Sequence, residues 1–214
     1  MTLKATALRS SLLRGLLGAT ALGLAGAGAA AAADLGGRPS FSQPLPPPVD
    51  ETSFRFLDEL RVGGFVSEGT RERGHTTANI EVLSSKITTS DDPILSVLIP
   101  RVHVGGHIAT GRGTNEVYGG LTWKEDLIPD YLPGVFIEGS FGGVIHDGYT
   151  GDGPTPLDRA KLGCHLLFRE SLSLGYRITQ NISIMGTIDH ISNGGLCNHN
   201  HGLNNYGGRI AYTF

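Results

Sequence analysis

The pattern of apolar and polar residues repeats every two positions over most of the chain beyond its N-terminal region. From 206 to 214 the even positions are aromatic, aliphatic or glycine, whereas the odd positions are small or polar and include Arg209. Segment 163–178 alternates in the same way, with Arg169 and Arg177 on its polar side. Because successive side chains of a strand point to opposite faces, this alternation predicts strands with one apolar and one polar face.

Eight segments of this kind follow one another, separated by joints rich in turn-forming residues. They cover approximately residues 58–68, 76–86, 99–110, 115–125, 134–146, 163–178, 181–193 and 204–214. Eight antiparallel strands form the smallest usual membrane barrel, in which the apolar face meets lipid and the small or polar face lines the lumen. We therefore predict an all-β fold, an eight-stranded antiparallel transmembrane β-barrel over residues 53–214. A soluble sandwich or a lipocalin-like barrel is the alternative.

The N-terminal region differs from the rest of the chain in composition. Residues 1–33 contain three basic residues and no acidic one, and their apolar run ends in small residues, which is typical of a secretory signal peptide. Residues 34–52 are rich in proline, which predicts an extended periplasmic linker. Removal of the leader's three positive charges takes the formal net charge from −3 to −6, so nothing indicates nucleic-acid binding.

An exported chain of this composition is either soluble or a β-barrel. Charged residues make up 17% of the chain, and no segment after the leader is apolar for long enough to cross a bilayer as a helix. The leader, the alternation and the terminal Phe214 together favour the bacterial outer membrane. A final strand that ends on an aromatic residue resembles those that the barrel-assembly machinery reads, so this machinery and membrane lipids are expected partners.

A histidine and a serine two residues apart, His190 and Ser192, share one face of the seventh predicted strand. Ile184 and Ile188 lie on the same face, so the pair belongs to the apolar, lipid-facing side. An even number of strands places both termini in the periplasm, and the seventh strand therefore ends near the outer surface. An imidazole within reach of a hydroxyl is a candidate general base beside a candidate nucleophile.

The residues around this pair carry a family likeness. The stretch His190-Ile191-Ser192-Asn193-Gly194, then Asn200-His201-Gly202-Leu203 and the closing aromatic strand, resembles the lipid A 3-O-deacylase (PagL) family of outer-membrane acyl hydrolases. The resemblance implies an eight-stranded barrel that removes an ester-linked acyl chain from lipid A of lipopolysaccharide. It also implies that His190 is the base and Ser192 the nucleophile, without a cofactor.

The acidic member of the family's triad is missing from its usual place. The family has a glutamate fourteen residues after the histidine, where this chain has Asn204. An asparagine can orient a histidine but supplies no charge to stabilise the imidazolium. A tight turn at residues 179–181 would place Glu170 of the sixth strand opposite His190. We therefore predict a triad of Ser192, His190 and Glu170, with Asn204 as a neighbouring polar group.

The same strand register makes a second prediction. It places Cys164 opposite position 196, one residue from Cys197, the only other cysteine of the chain. Both cysteines lie in the exported part, where a disulfide can persist. We therefore expect a bond between Cys164 and Cys197.

The oxyanion of an acyl-transfer intermediate requires hydrogen-bond donors that are already aimed at it. The candidates are the side chains of Asn193 and Asn200 and the backbone N–H groups of Gly194 and Gly195. Asparagine and glycine are also common in turns, where they adopt positive φ, so a purely structural role is the alternative.

Other polar residues are weaker candidates for metal binding or for contacts with lipid A phosphates. His199 and His201 lie near His190, but no third ligand has convincing spacing, so no metal is expected. Basic residues of the predicted outer loops are either lipid A phosphate ligands or ordinary solvated charges: Arg71, Arg73, Arg112, Arg159 and Lys161. The remaining histidines are expected in the lumen or at its rim: His103, His107, His146 and His165.

Two other functions fit the same barrel. One is a non-enzymatic small barrel with a structural or binding role, in which Asn204 marks lost activity. The other is hydrolysis of a phospholipid in place of lipid A.

Overall fold

Residues 53–68 and 71–214 are described by a computed structural model. They form eight strands and one short helix, which are β1 (Glu59–Glu68), β2 (Thr76–Lys86), α1 (Pro93–Leu98), β3 (Arg101–Ala109), β4 (Glu116–Asp126), β5 (Val135–His146), β6 (Leu166–Arg177), β7 (Ile182–Ser192) and β8 (Leu203–Thr213). Each predicted segment corresponds to one strand. The signal peptide predicted for 1–33 and the linker predicted for 34–52 lie outside the described residues and stay predictions.

The eight strands form a closed barrel in which each strand pairs with its neighbours in sequence order and β1 pairs with β8. Neighbouring strands are antiparallel throughout, so the predicted fold class is confirmed. Closure pairs the backbone groups that an open sheet would leave at its edges, which a bilayer cannot satisfy. No helix within residues 53–68 and 71–214 is long and apolar enough to cross a membrane.

The two faces of the wall differ as the alternation predicts. On β7, Ile184 and Ile188 are about half exposed on the outer face, whereas Thr187 and Asp189 are buried in the lumen. The outer face is apolar because it meets lipid, so a polar side chain on it is an exception that calls for a reason.

The lumen is filled by paired charges. Arg61 is almost fully buried and donates to Glu59 (2.6 Å), Glu81 (2.9 Å) and Glu138 (2.6 Å). Arg209 lies across the same space, where its Nε donates to Asn79 at 2.8 Å. Because Arg61 binds three carboxylates and Arg209 Nη1 lies 3.4 Å from Glu81, the lumen is a packed polar core that holds the strands in one register.

An apolar plug closes the outer end of the lumen. Leu162, from the outer loop of residues 147–165, is fully buried and packs in one cluster with Ile191 of β7 and Leu203 of β8. The same loop is joined to the outer loop of residues 193–202 by a disulfide between Cys164 and Cys197, with their Cα atoms 6.1 Å apart. The predicted disulfide is confirmed, and it ties the loop over the barrel mouth to the loop that follows Ser192.

Candidate active site

His190 and Ser192 lie at the outer end of β7 on the lipid-facing wall. Both side chains are half-buried, and their parity is that of the exposed isoleucines of the same strand. Phe168 on β6 lies directly opposite Ser192. Ser192 thus lies beside an aromatic side chain, at the level where the strands end and the outer loops begin.

The pairing of β6 with β7 around His190 has the predicted register. Glu170 of β6 is directly opposite His190, and Asn204 of β8 is directly opposite it on the other side. The side chain of Glu170 is exposed and makes no hydrogen bond or ion pair with any residue of the described chain. The predicted proximity therefore exists, but no contact assigns Glu170 a role.

Asn204 holds the imidazole. His190 Nδ1 and Asn204 Oδ1 are 2.6 Å apart. An amide oxygen can only accept, so Nδ1 carries the proton and donates it to this bond. The neutral ring then has its lone pair on Nε2, the atom that must accept a proton if the histidine is a general base.

Gly202 fits against the same ring. It has a φ of +63°, and a Cβ at this position would lie 2.8 Å from His190 Cε1. The loop can therefore reach the imidazole only because residue 202 has no side chain. The sequence signal was a glycine within an Asn-His-Gly turn, and the contact with His190 could not be read from it.

The side chain of Asn193 is committed to the loop. It is buried, its Nδ2 donates to the carbonyls of Leu162 (2.8 Å) and His199, and its Oδ1 accepts from the Gly195 N–H at 2.8 Å. The Asn193 amide and the Gly195 N–H are both occupied in these bonds. Neither is free to donate to an oxyanion unless the loop changes.

Two of the four predicted oxyanion donors stay available. Asn200 Oδ1 accepts from the Asn193 N–H at 3.0 Å, which leaves the Asn200 Nδ2 hydrogens without a partner among the described residues. The Gly194 N–H likewise has no partner in residues 53–68 and 71–214. Gly194 adopts a φ of +62° and directly follows Ser192 and Asn193 in the chain.

The neighbouring outer loops brace each other near the site. The Lys161 N–H donates to His201 Nδ1 (3.3 Å), and the His201 N–H donates back to the Lys161 carbonyl (3.1 Å). His199 faces Asp152, with its Nε2 3.7 Å from a carboxylate oxygen. The two loop histidines considered as metal ligands thus have local partners.

A second group of possible metal ligands lies in the lumen, behind the wall that carries His190. His107, Glu116 and Asp189 each place one ligand-type atom within 4.8 Å of the others. Asp189 already accepts from Arg169 and His107 at 3.1 Å and from Asn205 at 3.0 Å. With the negative charge of Asp189 paired to a guanidinium, we interpret the group as part of the polar core.

Several basic loop residues are used for bracing. Arg159 donates to the carbonyls of Arg112 and Asp147, and Arg71 donates to the carbonyl of Pro156. The side chains of Arg73 and Arg112 are 77% and 85% exposed. Each of these two arginines also faces a carboxylate, Glu68 at 3.0 Å and Asp158 at 3.3 Å, so the four loop arginines named here all have local partners.

The fold and the site together define an outer-membrane β-barrel with a candidate acyl-hydrolase site on its wall. Residues 115–213 match the sequence model of the family described as Lipid A 3-O-deacylase (PagL), so the resemblance to this family is confirmed. The matched segment contains strands β4 to β8, and therefore the site residues Glu170, His190, Ser192 and Asn204. The chain is therefore similar to this family over residues 115–213, and this similarity together with the closed barrel places it in the bacterial outer membrane.

Solved structures are similar in fold. The crystal structure of the outer membrane enzyme PagL superposes with a TM-score of 0.55 at 14% identity, covering 73% of this chain and 99% of that one. Neisserial surface protein A follows with a TM-score of 0.45 at 8% identity, over 75% of this chain and 97% of that one. A designed transmembrane β-barrel has a TM-score of 0.39 at 15% identity, over 76% and 100%. No curated protein matches the chain significantly.

Replacement of Gly202 by alanine tests whether the loop positions the imidazole. We expect Gly202→Ala to displace His190 and to slow labelling of Ser192 by a fluorophosphonate probe about tenfold or more, because a small misplacement of a catalytic group can cost that much. Gly195→Ala is the matched control, since Gly195 has a φ of +82° but open space around its Cβ position. Equal labelling of the two variants would contradict the positioning role of Gly202.

Proposed function

We propose that the protein hydrolyses an ester-linked acyl chain of lipid A, with Ser192 as nucleophile and His190 as general base. The observation that carries the proposal is the hydrogen bond from His190 Nδ1 to Asn204. This bond leaves Nε2 free to accept a proton, on the same strand face as Ser192. The resemblance to the lipid A 3-O-deacylase family supports the choice of substrate.

The proposed reaction has two halves. Ser192 Oγ attacks the acyl carbonyl carbon while its proton passes to His190 Nε2. The oxyanion that forms is stabilised by the Gly194 N–H and the Asn200 amide, the two available donors. The ester C–O bond then breaks, and His190 passes the proton to the sugar oxygen, which leaves as a hydroxyl. In the second half His190 activates a water molecule, which releases the fatty acid and restores Ser192.

Asn204 and Glu170 have different parts in this proposal. Asn204 fixes the tautomer of His190 through its hydrogen bond. With Nδ1 bonded to Asn204 and Nε2 required in the proposed reaction to accept the Ser192 proton, the ring has no nitrogen left for Glu170. Glu170 therefore acts through space, by attracting the imidazolium from a facing position whose Cβ is about 5 Å away. The attraction is strengthened by the low dielectric of the lipid-facing surface.

The wall site suits a substrate that stays in the membrane. An open apolar groove of about 950 Å³ lies lower on the same face, and the exposed glycines Gly64, Gly186 and Gly208 form its floor. Along β7, Gly186 is six residues below Ser192, a descent of about 15 Å at the usual rise and tilt of such strands. This equals about half of the ~30 Å hydrocarbon core. We infer that the groove receives the distal end of the acyl chain.

The hydrolytic function is tested by mass spectrometry of lipid A from cells that express the wild-type protein or Ser192→Ala. We expect the wild type alone to remove the mass of one ester-linked acyl chain, because Ser192→Ala lacks the nucleophile. Heat-modifiable migration of both proteins on gels verifies that the barrels are folded. Unchanged lipid A with a folded wild-type barrel would contradict the proposal and favour a non-enzymatic role.

The contributions of Asn204 and Glu170 to the reaction are distinguished by comparing Asn204→Ala with Glu170→Gln. We expect Asn204→Ala to lower kcat by about 100-fold or more, since a wrongly oriented histidine can cost up to about 10⁴ in serine hydrolases. Glu170→Gln keeps the shape and removes the charge, and we expect a smaller loss of about tenfold. If Glu170→Gln retains full activity, Glu170 has no part in the reaction.

The groove is tested with esters of different chain length. Gly186→Leu should lower the rate for a tetradecanoyl ester much more than for a hexanoyl ester, because the leucine fills the position of the distal carbons. Gly139→Leu is the control, since Gly139 faces lipid on β5 and an added Cβ at either glycine meets no atom within 4 Å. An equal chain-length preference in both variants would show that the chain does not use the groove.

A further inference from the structure

Four polar residues form one row across the outer face of four adjacent strands. Glu170 of β6 is opposite His190 of β7, His190 is opposite Asn204 of β8, and Asn204 is opposite Glu68 of β1. Ionisable groups are costly on a wall that faces lipid and usually mark function. The sequence could not reveal that Glu68 belongs to this row, because it is more than a hundred residues away from Asn204 and joins it only through barrel closure.

The side-chain amide of Asn204 is hydrogen-bonded through its oxygen. Its Oδ1 accepts from His190, and its Nδ2 has no partner in residues 53–68 and 71–214. The two ends of a planar amide point in different directions, so an oxygen turned toward β7 leaves the NH₂ group turned away from His190. The strand on that side is β1, where Glu68 faces Asn204 with Cβ atoms about 5 Å apart.

The carboxylate of Glu68 is free to turn toward this amide. It pairs with Arg73, whose Nε lies 3.0 Å from Glu68 Oε2, and the side chains of Glu68 and Arg73 are 42% and 77% exposed. Ion pairs this exposed contribute little to stability, because solvent screens them and both side chains lose freedom. A rotation of Glu68 away from Arg73 and toward Asn204 therefore costs little free energy.

We propose that Glu68 is a positioning residue that accepts a hydrogen bond from Asn204 Nδ2 and so acts on His190 through Asn204. This inference rests on the proposed pairing of Ser192 with His190. The carboxylate that the family has at position 204 is thus displaced by one strand, with an amide inserted between it and the imidazole.

The chemistry of this arrangement involves no additional proton transfer. When Ser192 is deprotonated, its proton goes to His190 Nε2, and the Nδ1 proton stays in the bond to Asn204. A carboxylate at the NH₂ end polarises the amide, which makes Oδ1 a stronger acceptor and stabilises the imidazolium. Asn204 cannot pass a proton on, so Glu68 contributes orientation and negative charge only.

The experiment measures kcat and KM for the lipid A ester and the rate of Ser192 labelling by a fluorophosphonate probe. The variants are Glu68→Gln, Arg73→Gln, Asn204→Glu and the double variant Asn204→Glu with Glu68→Gln. Folded protein is selected by heat-modifiable migration. The probe needs only an activated serine, so it reports on Glu68 whichever ester is the natural substrate.

We expect Glu68→Gln to lower kcat and the labelling rate about tenfold with KM unchanged, because a hydrogen bond to a carboxylate is roughly twice as strong as one to a neutral amide oxygen. Arg73→Gln frees the carboxylate and should leave both rates unchanged or higher. In the Asn204→Glu background the sign should reverse, since Glu68 then faces a like charge directly opposite, which is unfavourable. There, Glu68→Gln should raise the rates or leave them unchanged.

Three results would overturn the inference. One is a Glu68→Gln variant with wild-type rates, and another is an equal loss in the wild-type and Asn204→Glu backgrounds, which a structural role would produce. The third is an Arg73→Gln variant in which kcat and the labelling rate fall as much as in Glu68→Gln, because Glu68 would then act by ordering the loop. Unchanged lipid A with labelling that depends on Glu68 would instead refute the proposed substrate and support the inference.

Discussion

Closure of the strands into a barrel is the constraint on which the rest of this structure depends. In a bilayer the backbone N–H and C=O groups of a strand find no water, so every strand must pair on both sides. Closure joins β1 to β8 and fixes a single register around the wall. The buried charges inside, with Arg61 bound to three glutamates, support that register because a slipped strand would leave charges without partners.

The register also organises the candidate site. Because side chains alternate strictly between the two faces, residues that lie opposite each other across several strands form a row on one face. On the lipid-facing side such a row brings together a histidine, an asparagine and two glutamates from four strands. In the proposed function, this row meets a substrate whose ester lies at the membrane surface.

The outer loops complete the arrangement that the strands begin. Leu162 closes the barrel mouth, and the bond between Cys164 and Cys197 ties the loop of residues 147–165 to the loop that follows Ser192. Asn193 joins the same loops through its buried amide. The consequence is that two of the possible oxyanion donors are occupied in holding the turn, while the Gly194 N–H and the Asn200 amide stay available. Donors held by a rigid turn stabilise an oxyanion without reorganisation during the reaction.

The sequence by itself determined the eight strands, their two faces, the register of β6 against β7 and the disulfide. All of these follow from local rules: a period of two residues, and a short turn that pairs nearby segments. The sequence also singled out His190 and Ser192, because they lie within one strand. Only the tertiary structure decided that Asn204 bonds to the imidazole, that Gly202 packs against it and that Glu68 faces Asn204. These contacts depend on side-chain rotamers, on a loop with positive φ and on the closure of β1 against β8, which joins residues far apart in sequence and leaves no periodic signal in the chain.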